Sequence, residues 1–463
     1  MALRRLDRSN RPAAIYLHIG GPSTGTTYLQ RLMYANRAAL EKRGYLLPGR
    51  SWRDVVLATH DALSFGRPAD RVRTDLTEVA GGRWDRLAEE MTAHRGRAVV
   101  LSMEFLCWAK PAAAERIVRS LGDADVHVVV TVRDSAAVLR SQWQTNCRNG
   151  EEVPLRRMVW GLRQAVRQGG EPASRPERMI DRGLGIPRVI DTWAPLVGPD
   201  RLHVVTVPLR NDDPDLLWKR FAGVVGLRPG RYRARSEQSN ASLGLPSSEL
   251  MRLLNIALGP VARTDYLRTM KGLLARDILA GRAGQERKVT LNRSGHDLSA
   301  RWNNRVREAI TSSGADLVGS LDDLPTVKPD ESVPTALEMP TDEELLSAAE
   351  WARRGLDEAI LRLQGQVAAL GERDRTDDPS GPRTAARDEV DDPDDEGDGP
   401  ESDDGPDDSE DAGLDRQAVL DRQLSDRTPE VALALDALVE QVRRAMALGA
   451  ELGSLRARQA ASG

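Results

Sequence analysis

Residues 13–30 run Ala13-Ala14-Ile15-Tyr16-Leu17-His18-Ile19 and then Gly20-Gly21-Pro22-Ser23-Thr24-Gly25-Thr26-Thr27, so glycines and hydroxyls crowd one short turn. Such residues, after an apolar run and before a helical pattern, suit the binding of a phosphate or another anion. A helix that starts there leaves backbone N–H groups without intrahelical partners, and the positive end of the helix dipole adds to them. Gly20 and Gly25 have the spacing of P-loop glycines, but Thr26 stands where a Walker A sequence carries its lysine. With no convincing Walker B acidic partner either, nucleotide hydrolysis of the usual P-loop kind is not expected. An ordinary βα turn would show the same glycines, so the loop alone leaves both readings open.

Two further side chains could move a proton. Glu104 follows the apolar run Ala98-Val99-Val100-Leu101-Ser102, and strand C-terminal ends are where open α/β sheets deliver functional groups. His60 has the intrinsic pKa nearer neutrality, but it sits in residues 51–73, which show no clear period. Each has an ordinary alternative: Glu104 can pair with an arginine, and His60 can lie on the surface. Among six histidines and two cysteines no spacing suggests a metal site, so no metal is expected.

The elements that must hold these groups read as alternating strands and helices. Residues 14–19 form a first strand, and a helix runs on to about residue 43. Apolar runs at 98–102, 126–132 and 201–208 have the length and composition of strands buried on both faces. Helical stretches lie between them, at about 83–93, 112–121, 136–147 and 154–168. The expected fold is α/β, a P-loop-type parallel sheet flanked by helices, over residues 1–330.

The stretch His18-Ile19-Gly20 with Thr24-Gly25-Thr26-Thr27-Tyr28-Leu29-Gln30 resembles the sulfotransferase family, and its bacterial members above all. That family uses a Lys-Thr-Gly-Thr-Thr type loop after its first strand. The resemblance implies that Ser23, Thr24, Gly25, Thr26 and Thr27 hold the 5′-phosphosulfate of 3′-phosphoadenosine-5′-phosphosulfate (PAPS). Arg133 and Ser141 look like a second family motif, an arginine at a strand end and a serine eight positions later, which holds the 3′-phosphate. The guanidinium fork suits a phosphate dianion. Ser141 lies about two helical turns beyond Arg133, so the chain must bend at Asp134-Ser135 to bring the guanidinium back. An Arg133–Asp134 salt bridge in the turn is the plain alternative. Glu104 stands roughly where the family places a catalytic residue, and carboxylate bases occur among its heparan-type members.

The resemblance spans about residues 13–330 and has two departures. Ser23 stands where the family has its lysine, and the Gly-rich segment with a Trp-Lys ending is not evident. Arg231, Arg233, Arg235, Arg287 and Lys288 are the candidate substitutes. The implied function is sulfuryl transfer from PAPS to a hydroxyl or amine on a small-molecule or glycan acceptor. The alternative is a degenerate sulfotransferase fold without catalysis, acting as a nucleotide-binding or interaction module.

Composition divides the 463 residues. Residues 388–411 carry 15 acidic side chains and no Lys or Arg; without those charges the formal net charge of −4 becomes +11 for the rest of the chain. A basic body suits a polyanionic cofactor; nucleic acid is not favoured, although net charge alone does not exclude it. Cys107 and Cys147 are too few for a disulfide framework, which points to a cytoplasmic protein. Arg4, Arg5, Arg8 and Arg11 precede a run too short and polar for a signal peptide, and no run approaches the ~20 apolar residues of a membrane span. Residues 341–370 begin with a capping-box sequence and form an amphipathic helix, residues 374–412 read as a disordered acidic linker, and residues 428–458 form a second amphipathic helix. These helices are expected to pair with each other or between chains, as a coiled coil. Truncation after Leu370 is expected to spare the α/β body.

Overall fold

The computed structural model describes residues 13–64, 81–168, 172–210, 213–232, 243–376 and 416–462. The N-terminal arginines, Arg233, Arg235 and the acidic run at 388–411 lie outside the described residues. Six strands form one all-parallel sheet: β1 (Ala14–His18), β2 (Tyr45–Leu46), β3 (Ala98–Ser102), β4 (Val126–Val132), β5 (Leu202–Thr206) and β6 (Asp316–Val318). Their spatial order is β2-β3-β1-β4-β5-β6. The valine-rich strands are buried because helices cover both faces, as parallel sheets require.

Between β1 and β2 lie α1 (Thr26–Ala35) and α2 (Arg37–Glu41). The single helix expected there breaks at Asn36, whose Nδ2 donates back to Leu32 O (2.7 Å). A side-chain amide competing for a helix carbonyl is a known helix interrupter. Next come α3 (Trp52–Leu63), α4 (Arg83–Ala93) and, after β3, α5 (Pro111–Ser120). After β4 come α6 (Ser135–Arg148), α7 (Leu155–Gln168), α8 (Arg175–Leu184) and α9 (Ile186–Val197). The chain then adds α10 (Leu216–Val224), α11 (Leu245–Leu258) and α12 (Arg293–Ser313), which leads into β6. The last elements are α13 (Asp342–Thr376), α14 (Arg416–Leu424) and α15 (Pro429–Ser462). No helix among the described residues is long and apolar enough to cross a membrane.

Alternate strand residues face opposite helical layers, as the period of two dictates. Val128 and Val130 join Trp52, Trp84 and Trp193 in one core, while Val129 joins Leu29, Leu32 and Phe221 in the other. A third core departs from expectation. It unites α6, α7 and α11 with Leu345, Ala352 and Leu356 of α13, Leu420 of α14, and Leu435, Leu438 and Val442 of α15. The terminal helices do pair with each other, yet they also complete the body's core. The capping box is present: Thr341 Oγ1 accepts from Glu344 N (3.2 Å), and Glu344 Oε2 accepts from Thr341 N (2.8 Å).

A buried ion pair ties this assembly together. Arg252 and Glu249, both almost fully buried in α11, bond through both carboxylate oxygens at 2.9 and 2.6 Å. Arg252 also donates to Glu152 O (3.1 Å), after α6, and to Gln423 Oε1 (3.1 Å) on α14.

Truncation after Leu370 would therefore strip the body's own core. Leu438→Ala is expected to destabilise the whole protein by about 2–5 kcal/mol, read as a shift of one urea midpoint. A shift confined to a separate minor transition would mean that the terminal helices unfold alone. Arg252→Met should cost about 3–5 kcal/mol by stranding the Glu249 carboxylate, and adding Glu249→Met should restore most of it.

Candidate functional site

In the order β2-β3-β1-β4-β5-β6, the connection leaving β1 runs one way and that leaving β4 the other. The carboxyl ends of β1 and β4 therefore bound the crevice where open α/β sheets bind ligands. The loop of residues 19–25 follows β1, and Arg133 follows β4.

The loop is shaped by two left-handed residues. Ser23 has φ +61°, the one non-glycine residue with positive φ among the described residues, and Gly25 has φ +88°. A left-handed residue within successive N–H groups turns them toward one concavity, the geometry of an anion nest. Gly25 is the N-cap of α1; no side chain caps that end and its first turn holds no acidic residue. The helix end thus keeps its donors and its dipole for an outside anion. Two glycines are enforced by space. A Cβ on Gly20 would run into the Thr131 hydroxyl, and one on Gly25 into Leu217.

Behind the loop lies a directed hydrogen-bond chain. Thr24 Oγ1 donates to Gly21 O (2.5 Å), so its contact with Thr131 Oγ1 (2.8 Å) uses the Thr131 proton. Thr131 Oγ1 then accepts from His18 Nε2–H (3.2 Å), which leaves His18 Nδ1 to accept from Ser102 Oγ–H (2.7 Å). One protonation pattern satisfies the chain, with His18 neutral and its proton on Nε2. Burial agrees, since it pushes the fully buried His18 down to about 3. The chain links the ends of β3, β1 and β4 to the Gly21 carbonyl.

Arg133 closes the loop from the β4 side. Its Nη1 donates to Ser23 O (3.0 Å), and it forms no ion pair among the described residues. Burial lowers its proton affinity, the charge of Arg140 adds to that, and Asp134 opposes both. The alternative of an Arg133–Asp134 salt bridge is not realised. Asp134 caps α6 instead, accepting from Ala136 N (3.3 Å) and Ala137 N (3.1 Å) and from Asn303 Nδ2 (2.9 Å). Ser141 sits half-buried on α6 with no hydrogen bond to Arg133 among the described residues. The guanidinium turns to the loop rather than back over the helix.

Thr24 and Thr26 are buried in the loop and the first position of α1, and Thr27 follows on the helix. Glu104, also buried, opens the short helical turn Glu104–Trp108 after β3, and its Oε2 accepts from Gln30 Nε2 (2.8 Å). Gln30 Oε1 is buried with no hydrogen-bond partner. His60 of α3 is half-buried with its ring 5.9 Å from Phe105, the neighbour of Glu104. The structure thus brings Ser23 to Arg133, and His60 to the turn that carries Glu104. Arg287, a candidate substitute cation, is spent elsewhere: Glu344 (2.6 and 2.8 Å) and Glu338 (3.0 Å) hold it.

No family model, curated protein or solved structure matches the chain.

Sequence reasoning missed Ser102, Thr131, Gln30 and Asn303, and gave His18 no role. One signal was present. His18 interrupts an apolar strand, and in the sheet it stands in register with Ser102.

His18 carries a pH consequence. Unfolded it titrates near 6.5, so between about 6.5 and 3 the unfolded chain takes a proton that the folded chain refuses. Its stabilising contribution is complete above about pH 6.5 and is lost as pH falls toward 3, at up to about 1.4 kcal/mol per pH unit. Urea unfolding at several pH values from 4.5 to 7 should show a steeper acid loss in wild type than in His18→Gln. Equal slopes would show that His18 protonates freely in the folded protein.

Proposed function

We propose that this crevice binds PAPS and that the protein transfers its sulfuryl group to a hydroxyl or amine acceptor. One observation carries the proposal. Arg133, unpaired with any described carboxylate, hydrogen-bonds the loop at Ser23, so two anion-holding elements adjoin in one crevice at the strand-order switch. The sheet order and loop shape support a P-loop-type fold.

The residues present fit such a ligand. The N–H groups of the loop and first turn of α1, with the hydroxyls of Ser23, Thr24, Thr26 and Thr27 around them, would hold the phosphosulfate, while Arg133 and Ser141 would hold the 3′-phosphate. PAPS supplies an activated sulfuryl group. The chain's tasks are to align donor and acceptor, to neutralise charge and to take the acceptor's proton. Glu104 is the proposed base, aligned by Gln30; His60, beside the same turn, is the other candidate. A second reading, a fold that binds nucleotide without turnover, is favoured by Ser23. A serine brings no charge to the leaving oxygen, and a preorganised charged donor is worth about two to three orders of magnitude in rate.

Calorimetry with PAP, the desulfonated cofactor, tests the first half. Wild type should bind, and Arg133→Ala should weaken binding by about 2–3 kcal/mol. No binding up to millimolar PAP would sink the assignment. Turnover with a panel of hydroxyl and amine acceptors tests the second half. Ser23→Lys should raise a slow wild-type rate while changing PAP affinity less. If both proteins bind PAP and neither turns over, the binding-module reading stands instead.

A further inference from the structure

Beyond Arg133, the β4 side of the crevice holds two more basic groups that the proposed function does not use. Arg140 lies on α6, half-buried, with no ion pair and no hydrogen bond among the described residues. His296 lies near the start of α12, also half-buried. Helices α6 and α12 pack together, pinned by Asn303, which takes Ser135 N (3.0 Å) and Ser135 Oγ (2.6 Å) on its Oδ1 and gives Nδ2 to Asp134. His296 and Ser299 are seven and four residues before Asn303, on the same face of α12. Ser299 Oγ is buried there with no hydrogen-bond partner.

The three basic groups feel one another. Arg140 depresses the proton affinity of Arg133 after burial, and it does the same to His296 after burial, with Asp134 opposing in both cases. Clustering half-buried cations costs free energy unless a counter-charge offsets it. The one carboxylate that faces them is Asp134, and its oxygens are committed to the α6 cap and to Asn303. Elsewhere in the body the half-buried arginines Arg188, Arg220 and Arg282 are each paired with a carboxylate.

We propose that Arg133, Arg140 and His296 form a phosphate-dianion subsite between β4, α6 and α12, distinct from the anion nest at the start of α1. A ligand spanning both places carries two anionic groups. The proposal rests on the PAPS reading for the identity of that ligand, but the subsite itself does not. In that reading Arg140 and His296 select for the second phosphate, and Arg133 is shared between the subsite and the loop.

The test compares adenosine 3′,5′-bisphosphate with adenosine 5′-phosphate by calorimetry on the full chain. Arg140→Gln and His296→Asn should each weaken the bisphosphate by about tenfold or more, while leaving the monophosphate within about twofold. Equal losses for both ligands, or no loss for either, would overturn the subsite. Thermal shift with inorganic phosphate separates the subsite from the PAPS reading. If wild type binds neither nucleotide but phosphate stabilises it and not Arg140→Gln, the subsite stands and the PAPS assignment fails. If phosphate stabilises both proteins equally, or neither, and no nucleotide binds, the subsite fails as well. Circular dichroism and the midpoint without ligand guard against a misfolded variant; the bisphosphate-to-monophosphate affinity ratio, which misfolding does not move selectively, decides the case.

Discussion

The architecture of the crevice depends on a histidine kept neutral by burial. His18 sits where three strand ends meet, and each ring nitrogen meets one hydroxyl, Ser102 on β3 and Thr131 on β4. A charged imidazole would need an acceptor on both nitrogens. The proton count along Ser102, His18, Thr131, Thr24 and the Gly21 carbonyl allows no such second acceptor without breaking a bond. Neutrality is therefore a structural requirement as well as a consequence of burial. Because the chain ends on a loop carbonyl, it converts sheet register into loop conformation. That is why Gly20 must be a glycine: the loop has to approach the Thr131 hydroxyl closely enough for Thr24 to join the chain.

A held loop leaves its own charge uncompensated. Ser23 accepts a left-handed backbone at a cost of about 1–2 kcal/mol, and the bond from Arg133 to its carbonyl offsets part of that. The same bond brings a cation to the rim of a helix end with no acidic side chain in its first turn. Positive potential is thus concentrated at one corner of the sheet, where a carboxylate would silence it. Asp134 is near enough to do so, yet capping α6 and binding Asn303 occupy both its oxygens. A local helix rule, an acidic N-cap, keeps a nearby arginine available.

Periodicity and composition made the sheet legible. The apolar runs at β1, β3, β4 and β5 each appear where the strands are, because strands buried on both faces read as unbroken hydrophobic stretches. β6 was not read, since three half-exposed edge residues carry no such run. Ser23, Thr24, Gly25 and Arg133 were found because turn chemistry is local in sequence. His18, Thr131 and Asn303 were not, because their meaning comes from register and packing: Asn303 lies 169 residues from Asp134. The terminal helices were recognised as amphipathic, but a hydrophobic stripe does not say which surface it covers. The structure gives that surface to α11 as well as to the partner helix.

Helix α6 is where the two halves of the structure meet. Its first turns carry the Asp134 cap, Arg140 and Ser141 at the crevice. Its far end is gripped through backbone carbonyls: Asn255 Nδ2 donates to Cys147 O (2.9 Å) and Glu151 O (3.1 Å), and Tyr266 Oη donates to Arg148 O (3.2 Å). Arg252 and Arg416 add bonds to Glu152, on its carbonyl and carboxylate. The groups that hold this end come from α11, α14 and the segment between α11 and α12, in the core that the terminal helices complete. A helix is stiff over fourteen residues, so fixing its C-terminal end limits where Arg140 and Ser141 can lie at the other. The terminal helices therefore contribute to the crevice without touching it, by setting the pose of the helix that carries half of its cations.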